Sequence, residues 1–219
     1  YLRQEFNRVK RFADDFVLNY AKVIKPKKFL QLGCWHMGEI LILKSHNIKS
    51  QMIATDQSED FLKFLKKKYK QNFLRDVEFE IFDIENPDLD LLRDIKMISA
   101  IQVLSNIQPE GMKNFFKILS KSQVGLLIIG DMCNHKSLNG ETNLSKKNFN
   151  WNHPYLKLAT ESGFECFFIP DTNFSDNDEN RGVFVVSKKI SEKNHIKAIG
   201  NAGVNFSRRQ KFFYGNEKN

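Results

Sequence analysis

The sequence predicts one α/β domain: a seven-stranded, mostly parallel sheet, covered by helices on both faces and closed by a C-terminal β-hairpin. Three observations predict it. Short apolar runs alternate with helical patterns over most of the chain, the last two runs are joined with no helix between them, and 219 residues suffice for one sizeable core but not two. Strands that alternate with helices become parallel neighbours buried on both sides, whereas a directly joined pair must turn back on itself.

The elements follow in order. Leu2, Phe6, Val9, Phe12, Phe16, Tyr20 and Val23 recur at intervals of three and four, which makes residues 1–26 an amphipathic helix stopped by Pro26. Strands are expected at 28–33, 51–56, 77–83, 95–101, 125–131, 164–169 and 182–188. Helices are expected at 38–45, 58–69, around 87–92, at 109–119 and at 155–162, with Ser58 placed to cap its helix and Pro109 suited to a first helical position. The segment "PDTNFSDNDENR" reads as the solvated loop of the hairpin. This divides the chain into an N-terminal helix (1–26), a main domain (27–189) and a basic C-terminal arm (190–219) with little periodicity, read as appended and mobile.

Composition narrows the function classes. Apolar residues form 41% and charged residues 27% of the chain, so it is an ordinary globular sequence rather than a disordered one. No run is long and apolar enough for a membrane span, and the first segment is too charged for a secretory signal, so a soluble cytoplasmic protein is expected. Position 1 is Tyr and not Met, which leaves open what preceded it. Cys34, Cys133 and Cys166 are odd in number and widely spaced, giving neither a disulfide framework nor a metal half-site. The calcium-like spacing of "DTNFSDNDENRG" lacks the sixth-position glycine and the closing glutamate, so no metal is expected. A formal charge of +8 favours anionic partners without specifying one.

The stretch "KKFLQLGCWHMGEI" carries most of the functional signal. Gly33 lets the backbone leave a strand sharply, and Gly38 opens the next helix. Glu39 stands where a phosphate loop needs lysine, and Trp35 where a dinucleotide fingerprint needs its second glycine, so both of those readings fail. Asp56 ends the second strand, where a carboxylate can accept from both hydroxyls of a ribose. Asp83 ends the third strand, where it can reach an adenine amine, and Ile84 offers the ring an apolar surface. In an open parallel sheet these strand ends are neighbours at the ligand-binding edge. A glycine turn with two acids and no phosphate clamp suggests S-adenosylmethionine.

Together "FLQLGCWHMGEI", "IATDQSEDFLKFLKKKY", "FEIFDIEN" and "QVLSNIQPEGMKNFFKIL" resemble the class I S-adenosylmethionine-dependent methyltransferases, over about residues 28–188. The resemblance implies a Rossmann-like three-layer sandwich and transfer of a methyl group to oxygen or nitrogen. It implies that Gly33, Cys34, Trp35 and Gly38 surround the methionine part of the cofactor and that Asp56 and Gln57 hold the ribose. Asp83 and Ile84 would meet the adenine, and Ile101 with Gln102 the methionyl end. The turn departs from the family pattern, because Trp35 replaces its middle glycine and Met37 lengthens it by one residue.

A hydroxyl acceptor profits from a base, and His153, His135 and Asp131, with Tyr155 nearby, fall on the ligand end of the predicted sheet. Each is better explained as a polar loop residue than as a catalytic one, and His36 in the turn fits either role. A small-molecule or sugar acceptor is the expected partner. The alternatives are a nucleic-acid methyltransferase using the basic arm, with "NFSRRQKFFYG" as a strand-binding surface, and a non-catalytic scaffold whose pocket is filled by Trp35. "LKKKYK" (65–70) reads as the wet face of a helix.

Overall fold

The structure is a computed structural model. It describes residues 2–35, 37–69, 74–145, 150–176, 179–188 and 190–202, with side chains described for all of these but 2–11, 135 and 172–180. Its elements in chain order are α1 (Leu2–Ile24), β1 (Lys28–Leu32), α2 (Gly38–Ser45), β2 (Gln51–Asp56), α3 (Glu59–Tyr69), β3 (Glu78–Ile81), α4 (Leu89–Leu92), β4 (Met97–Ile101), a 3-10 turn (Leu104–Asn106), α5 (Pro109–Lys121), β5 (Leu126–Cys133), α6 (His135–Leu138), the short strands β6 (Asn143–Leu144) and β7 (Trp151–Asn152), α7 (Tyr155–Glu161), β8 (Glu165–Asp176) and β9 (Glu179–Ser187). A further helix spans 192–202.

The main sheet has seven strands in the order β3-β2-β1-β4-β5-β9-β8. Parallel pairing runs from β3 to β5, and β9 is antiparallel to both of its neighbours. This is the Rossmann-like sheet with a terminal hairpin that the alternation of patterns predicts. Side chains leave a strand on alternate faces, and the core obeys this residue by residue. Phe29, Met52, Ala54, Met97, Leu126 and Ile128 join one apolar cluster with α1, α2 and α3. Leu30, Ile53, Ile98, Leu127 and Ile129 join a second with α4, α5 and α7. The molecule is therefore three-layered.

Local chemistry sets the element ends. The Ser58 hydroxyl accepts from the Phe61 N–H (3.2 Å) and starts α3. Pro109 occupies the opening of α5, where its missing N–H costs nothing. Gly33 leaves β1 at φ +62°, a left-handed conformation, and a methyl group there would come within 2.5 Å of a Val103 methyl.

Two expectations change. The segment expected as a solvated hairpin loop is mostly strand: β8 continues to Asp176 and β9 begins at Glu179, with a register irregularity between Pro170 and Ser175. Backbone pairing to β9 carries polar residues into the ladder, which an apolar pattern cannot reveal. The C-terminal arm, expected as mobile and without periodicity, begins as the docked helix 192–202. Its Ala198 and Ala202 are fully buried in the cluster under α1, and Ile190 and Ile199 pack against it. His195 Nδ1 meets the Tyr20 hydroxyl at 2.8 Å, and its Nε2 meets the Ser187 hydroxyl at 3.3 Å. The stretch "NFSRRQKFFYG" lies outside the described residues. Of the predicted apolar stripe on α1, Phe12, Phe16 and Tyr20 are buried and Val23 partly so, while the side chains of Leu2, Phe6 and Val9 lie outside the description.

Candidate functional site

At the carboxyl ends of β1 to β4 the sheet opens into a cavity of about 640 Å³, within the range of about 300–1,000 Å³ usual for small-molecule sites. Gly33 contributes from β1, and Thr55, Asp56 and Gln57 from β2. Ile81, Phe82, Asp83, Ile84 and Glu85 contribute from the end of β3, and Val103, Asn106 and Ile107 from the segment after β4. The chain order of strands 3-2-1-4 makes these tips adjacent, so residues 50 positions apart in sequence share one wall.

The polar lining is acidic. Asp56 Oδ1 accepts from the Ser58 N–H (3.1 Å), which orients the carboxylate while leaving it further acceptor capacity. Asp83 accepts from the Asn86 side chain (2.8 Å) and from the Glu85 N–H (2.9 Å). The Asn86 bond first, and the backbone bonds with it, hold the Asp83 carboxyl below the usual range, so it is an anionic acceptor at neutral pH. Glu85 accepts at Oε1 from the Gln108 N–H (3.0 Å), and its own carbonyl accepts from the Asn114 side chain (2.7 Å). Gly111 makes room for this, since a Cβ there would lie 2.6 Å from the Glu85 side chain. No lysine or arginine lines the cavity among the described residues. Such a wall repels phosphates and suits a ligand rich in hydroxyl or amine donors, or one that carries positive charge.

The turn after β1 is shaped by its own bonds. Cys34 N–H donates to the Thr55 carbonyl (2.9 Å), and Met37 N–H donates back to the Cys34 carbonyl (2.8 Å). Met37 is buried in a left-handed conformation, and Cys34 is buried with its thiol pushed up to about 12 by burial and then by the Asp56 charge. Trp35 is 63% exposed on the outside of this turn and does not line the cavity, so its indole does not fill the hollow. Glu39 is buried in the first turn of α2 and accepts from the Gln31 side chain. A buried carboxylate thus stands at the position where a phosphate loop has its lysine.

Of the residues singled out from sequence, Gly33, Asp56, Gln57, Asp83 and Ile84 meet at the cavity. Cys34, Trp35, Gly38, Ile101 and Gln102 are outside its described lining. Ile101 is buried beneath it, and Gln102 takes φ +57° while donating its N–H to the Gly130 carbonyl (2.8 Å), a kink that directs Val103 onto Gly33. Asp131 and His153 are buried behind the wall. Asp131 accepts at Oδ2 from the Tyr155 hydroxyl (2.9 Å) and the Ser105 N–H (3.1 Å), and at Oδ1 from the Met132 N–H (2.9 Å). Burial pushes Asp131 up to about 6 against these bonds. His153 Nε2 donates to the Ile107 carbonyl (3.0 Å), its Nδ1 is buried without a hydrogen-bond partner, and burial pulls its pKa down to about 4. Both residues therefore grip segment 103–107, which forms the near wall. His135 opens α6, and its side chain lies outside the description, as does all of His36.

Sequence reasoning passed over Thr55, Ile81, Phe82, Glu85, Val103, Asn106 and Ile107 as wall residues. "QVLSNIQPEG" contained three of them, and Glu85 follows Asp83 by two. The signal available was proximity to a strand end.

A family model described as tellurite resistance protein TehB matches residues 1–135. No curated protein sequence matches the chain significantly. Among solved structures, the fold resembles the methyltransferase domain of bacterial CtHen1 (19% identity, 80% of this chain and 98% of that one, TM-score 0.61). It also resembles the N-terminal domain of EvdMO1 solved with S-adenosylhomocysteine (13% identity, 81% of each chain, TM-score 0.63). A third likeness is to magnesium protoporphyrin IX methyltransferase (ChlM) from Synechocystis PCC 6803, also with S-adenosylhomocysteine (14% identity, 85% and 88%, TM-score 0.62).

Proposed function

The chain belongs to the TehB family, and from that premise we propose that it is an S-adenosylmethionine-dependent methyltransferase acting on an oxygen or nitrogen of a small-molecule or sugar acceptor. One observation carries the reading: Gly33, Asp56 and Asp83, on three neighbouring strand tips, line a single cavity that has carboxylates and no described cation. An adenosine bearing a sulfonium fits that wall, and a nucleotide phosphate does not.

When bound, this cofactor supplies a methyl group on a positively charged sulfur, open to in-line attack by a nucleophile. The residues supply alignment. Asp56, held by the Ser58 N–H, accepts from the ribose hydroxyls beside Gln57. Asp83 accepts from the adenine amine, and the buried Ile84 gives the ring its apolar contact. Gly33 lets the backbone approach closely while Val103 packs over it. Cys34, Gly38, Ile101 and Gln102 act indirectly in this reading, by fixing the turn and the kink behind the wall. Trp35 leaves the cavity clear, so a scaffold role through a filled pocket is disfavoured. Asp131 and His153 serve as positioning residues for segment 103–107, and His135 is the histidine retained for the acceptor side. The solved neighbours crystallised with S-adenosylhomocysteine support the choice of cofactor by analogy of fold.

Calorimetry with S-adenosylmethionine and S-adenosylhomocysteine tests this. The wild-type chain should bind both, and Asp56→Ala should weaken binding about tenfold or more, as expected for lost charged hydrogen bonds. A wild-type chain that binds neither overturns the reading, and an unchanged Asp56→Ala overturns the ribose assignment. Methyl transfer to a panel of hydroxyl and amine acceptors then identifies the substrate, with tellurite included because the family takes its description from it.

A further inference from the structure

A second concavity lies at the other end of β3. It has a volume of about 420 Å³ between the last turns of α3 and the start of the strand. Its floor is apolar: Leu74 and Val77 are buried, and Phe79 packs against the same cluster. Its rim is cationic, with Lys66, Lys67 and Arg75 all exposed. Lys63 also lines the groove, but it is paired with Glu59 (3.0 Å) and Asp60. Of the acids beside it, Asp76 is paired with Lys44 and also feels the Arg75 charge, and Glu78 on β3 accepts from the Gln51 side chain. Among the described residues no carboxylate lies within salt-bridge distance of Lys66, Lys67 or Arg75. Two lysines without an ion pair, and an arginine whose charge acts on the neighbouring Asp76 only through space, therefore surround an apolar floor.

Beside the groove, the outer face of α3 is aromatic and basic together. Phe64 is 56% exposed and stacks on Phe61 with ring centroids 6.3 Å apart. Lys68 Nζ lies 5.9 Å from the Phe64 ring and 5.2 Å from the Tyr69 ring. Phe64 is the ring left in water while Phe61 and Tyr69 pack on the core, and the cations grouped beside it raise the local demand for an anion. Phosphates at regular spacing with flat, stackable groups between them answer both features, whereas a lone inorganic anion answers only the charge.

We propose that this face of α3 and β3 is a docking groove for single-stranded nucleic acid, with phosphates on Lys66, Lys67 and Arg75 and a base stacked on Phe64. It stands apart from the cofactor cavity, which begins at Ile81, where the groove's lining has ended. The groove anchors a strand without presenting it to the cavity wall, and its existence does not depend on the methyltransferase reading.

The test is fluorescence anisotropy of labelled oligouridylate with the full chain over a salt series. Wild type should bind with a marked salt slope. Lys66→Glu/Lys67→Glu/Arg75→Glu should weaken binding at least tenfold and lower the slope of log affinity against log salt by about 2, three phosphate contacts on a single strand being released. Phe64→Ala should weaken binding roughly fivefold or more with the slope unchanged. Melting midpoints equal to wild type verify folding, and the triple glutamine variant replaces the charge reversals if these fail to fold. Wild-type affinity and slope in the triple variant overturn the proposal, and so does an unaltered Phe64→Ala. Vesicles rich in phosphatidylserine that bind through the same three cations while oligouridylate does not would assign the groove to a membrane surface, and also overturn it.

Discussion

Asp131 and His153 hold the same wall segment through opposite responses to protons. Burial raises Asp131 to about 6 from an ordinary value of about 3.9, so its contribution to stability is complete below about pH 4 and is lost as pH rises through about 6. Burial lowers His153 to about 4 from about 6.5, so its contribution is complete above about pH 6.5 and is lost as pH falls through about 4. Each amounts to about 3 kcal/mol over its window, and in the wild type the two nearly cancel. Asp131→Asn removes the first, so relative to wild type its stability should climb with pH between about 4 and 6.5 by about 3 kcal/mol. His153→Gln removes the second, and its stability should fall over the same interval. Urea midpoints measured across that range decide the matter, and two profiles parallel to wild type would refute the assignment. Both residues were legible as candidates, Asp131 from the end of its strand and His153 from its place before the helix that leads to the sixth strand. Their partners were not, since Ser105 is 26 positions from Asp131 and Ile107 is 46 from His153.

Among the elements, α6, β6 and β7 are too short for a period to show, whereas the helix at 192–202 is a long one whose periodicity failed to announce it. Ala198 and Ala202 carry its buried stripe, and alanine is too small and too common to mark a face. What docks it is His195, set between the Tyr20 and Ser187 hydroxyls with its ring edge-on to Tyr20 and to Phe167. His195→Ala leaves the fully buried Tyr20 hydroxyl without this bond and opens a gap between α1 and β8. The expected loss is about 2–4 kcal/mol, read from the urea midpoint, and a variant as stable as wild type would mean that the helix contributes nothing there. By contrast α2, α3 and α5 were readable nearly to the residue. The apolar faces of α3 and α5 repeat every three to four positions, α2 is a continuous apolar run opened by Gly38, and Ser58 and Pro109 mark starts by local chemistry alone.

At the scale of the molecule, stability is graded from the centre of the sheet outward. β4 is buried along its whole length, and β1 and β5 nearly so, whereas β3 is an edge strand that exposes Glu78 and Glu80. Charges on an edge discourage further pairing and also leave the strand open to solvent. Amide hydrogen exchange should therefore be slowest in β1, β4 and β5 and faster in β3, with bound cofactor slowing the residues around Asp56 and Asp83 most. Uniform protection across all these strands would contradict this gradient. Amino-acid order alone determined the strands, most helices, the antiparallel ending and the edge of the sheet at which Gly33, Asp56 and Asp83 gather, because these rest on periods of two and 3.6 and on residues next to a strand end. Only the tertiary structure decided that Trp35 faces outward, that Asp131 and His153 hold a wall, and that Lys66, Lys67 and Arg75 ring an apolar floor. Those facts depend on contacts between distant parts of the chain, and a distant contact leaves no period in the sequence that encodes it.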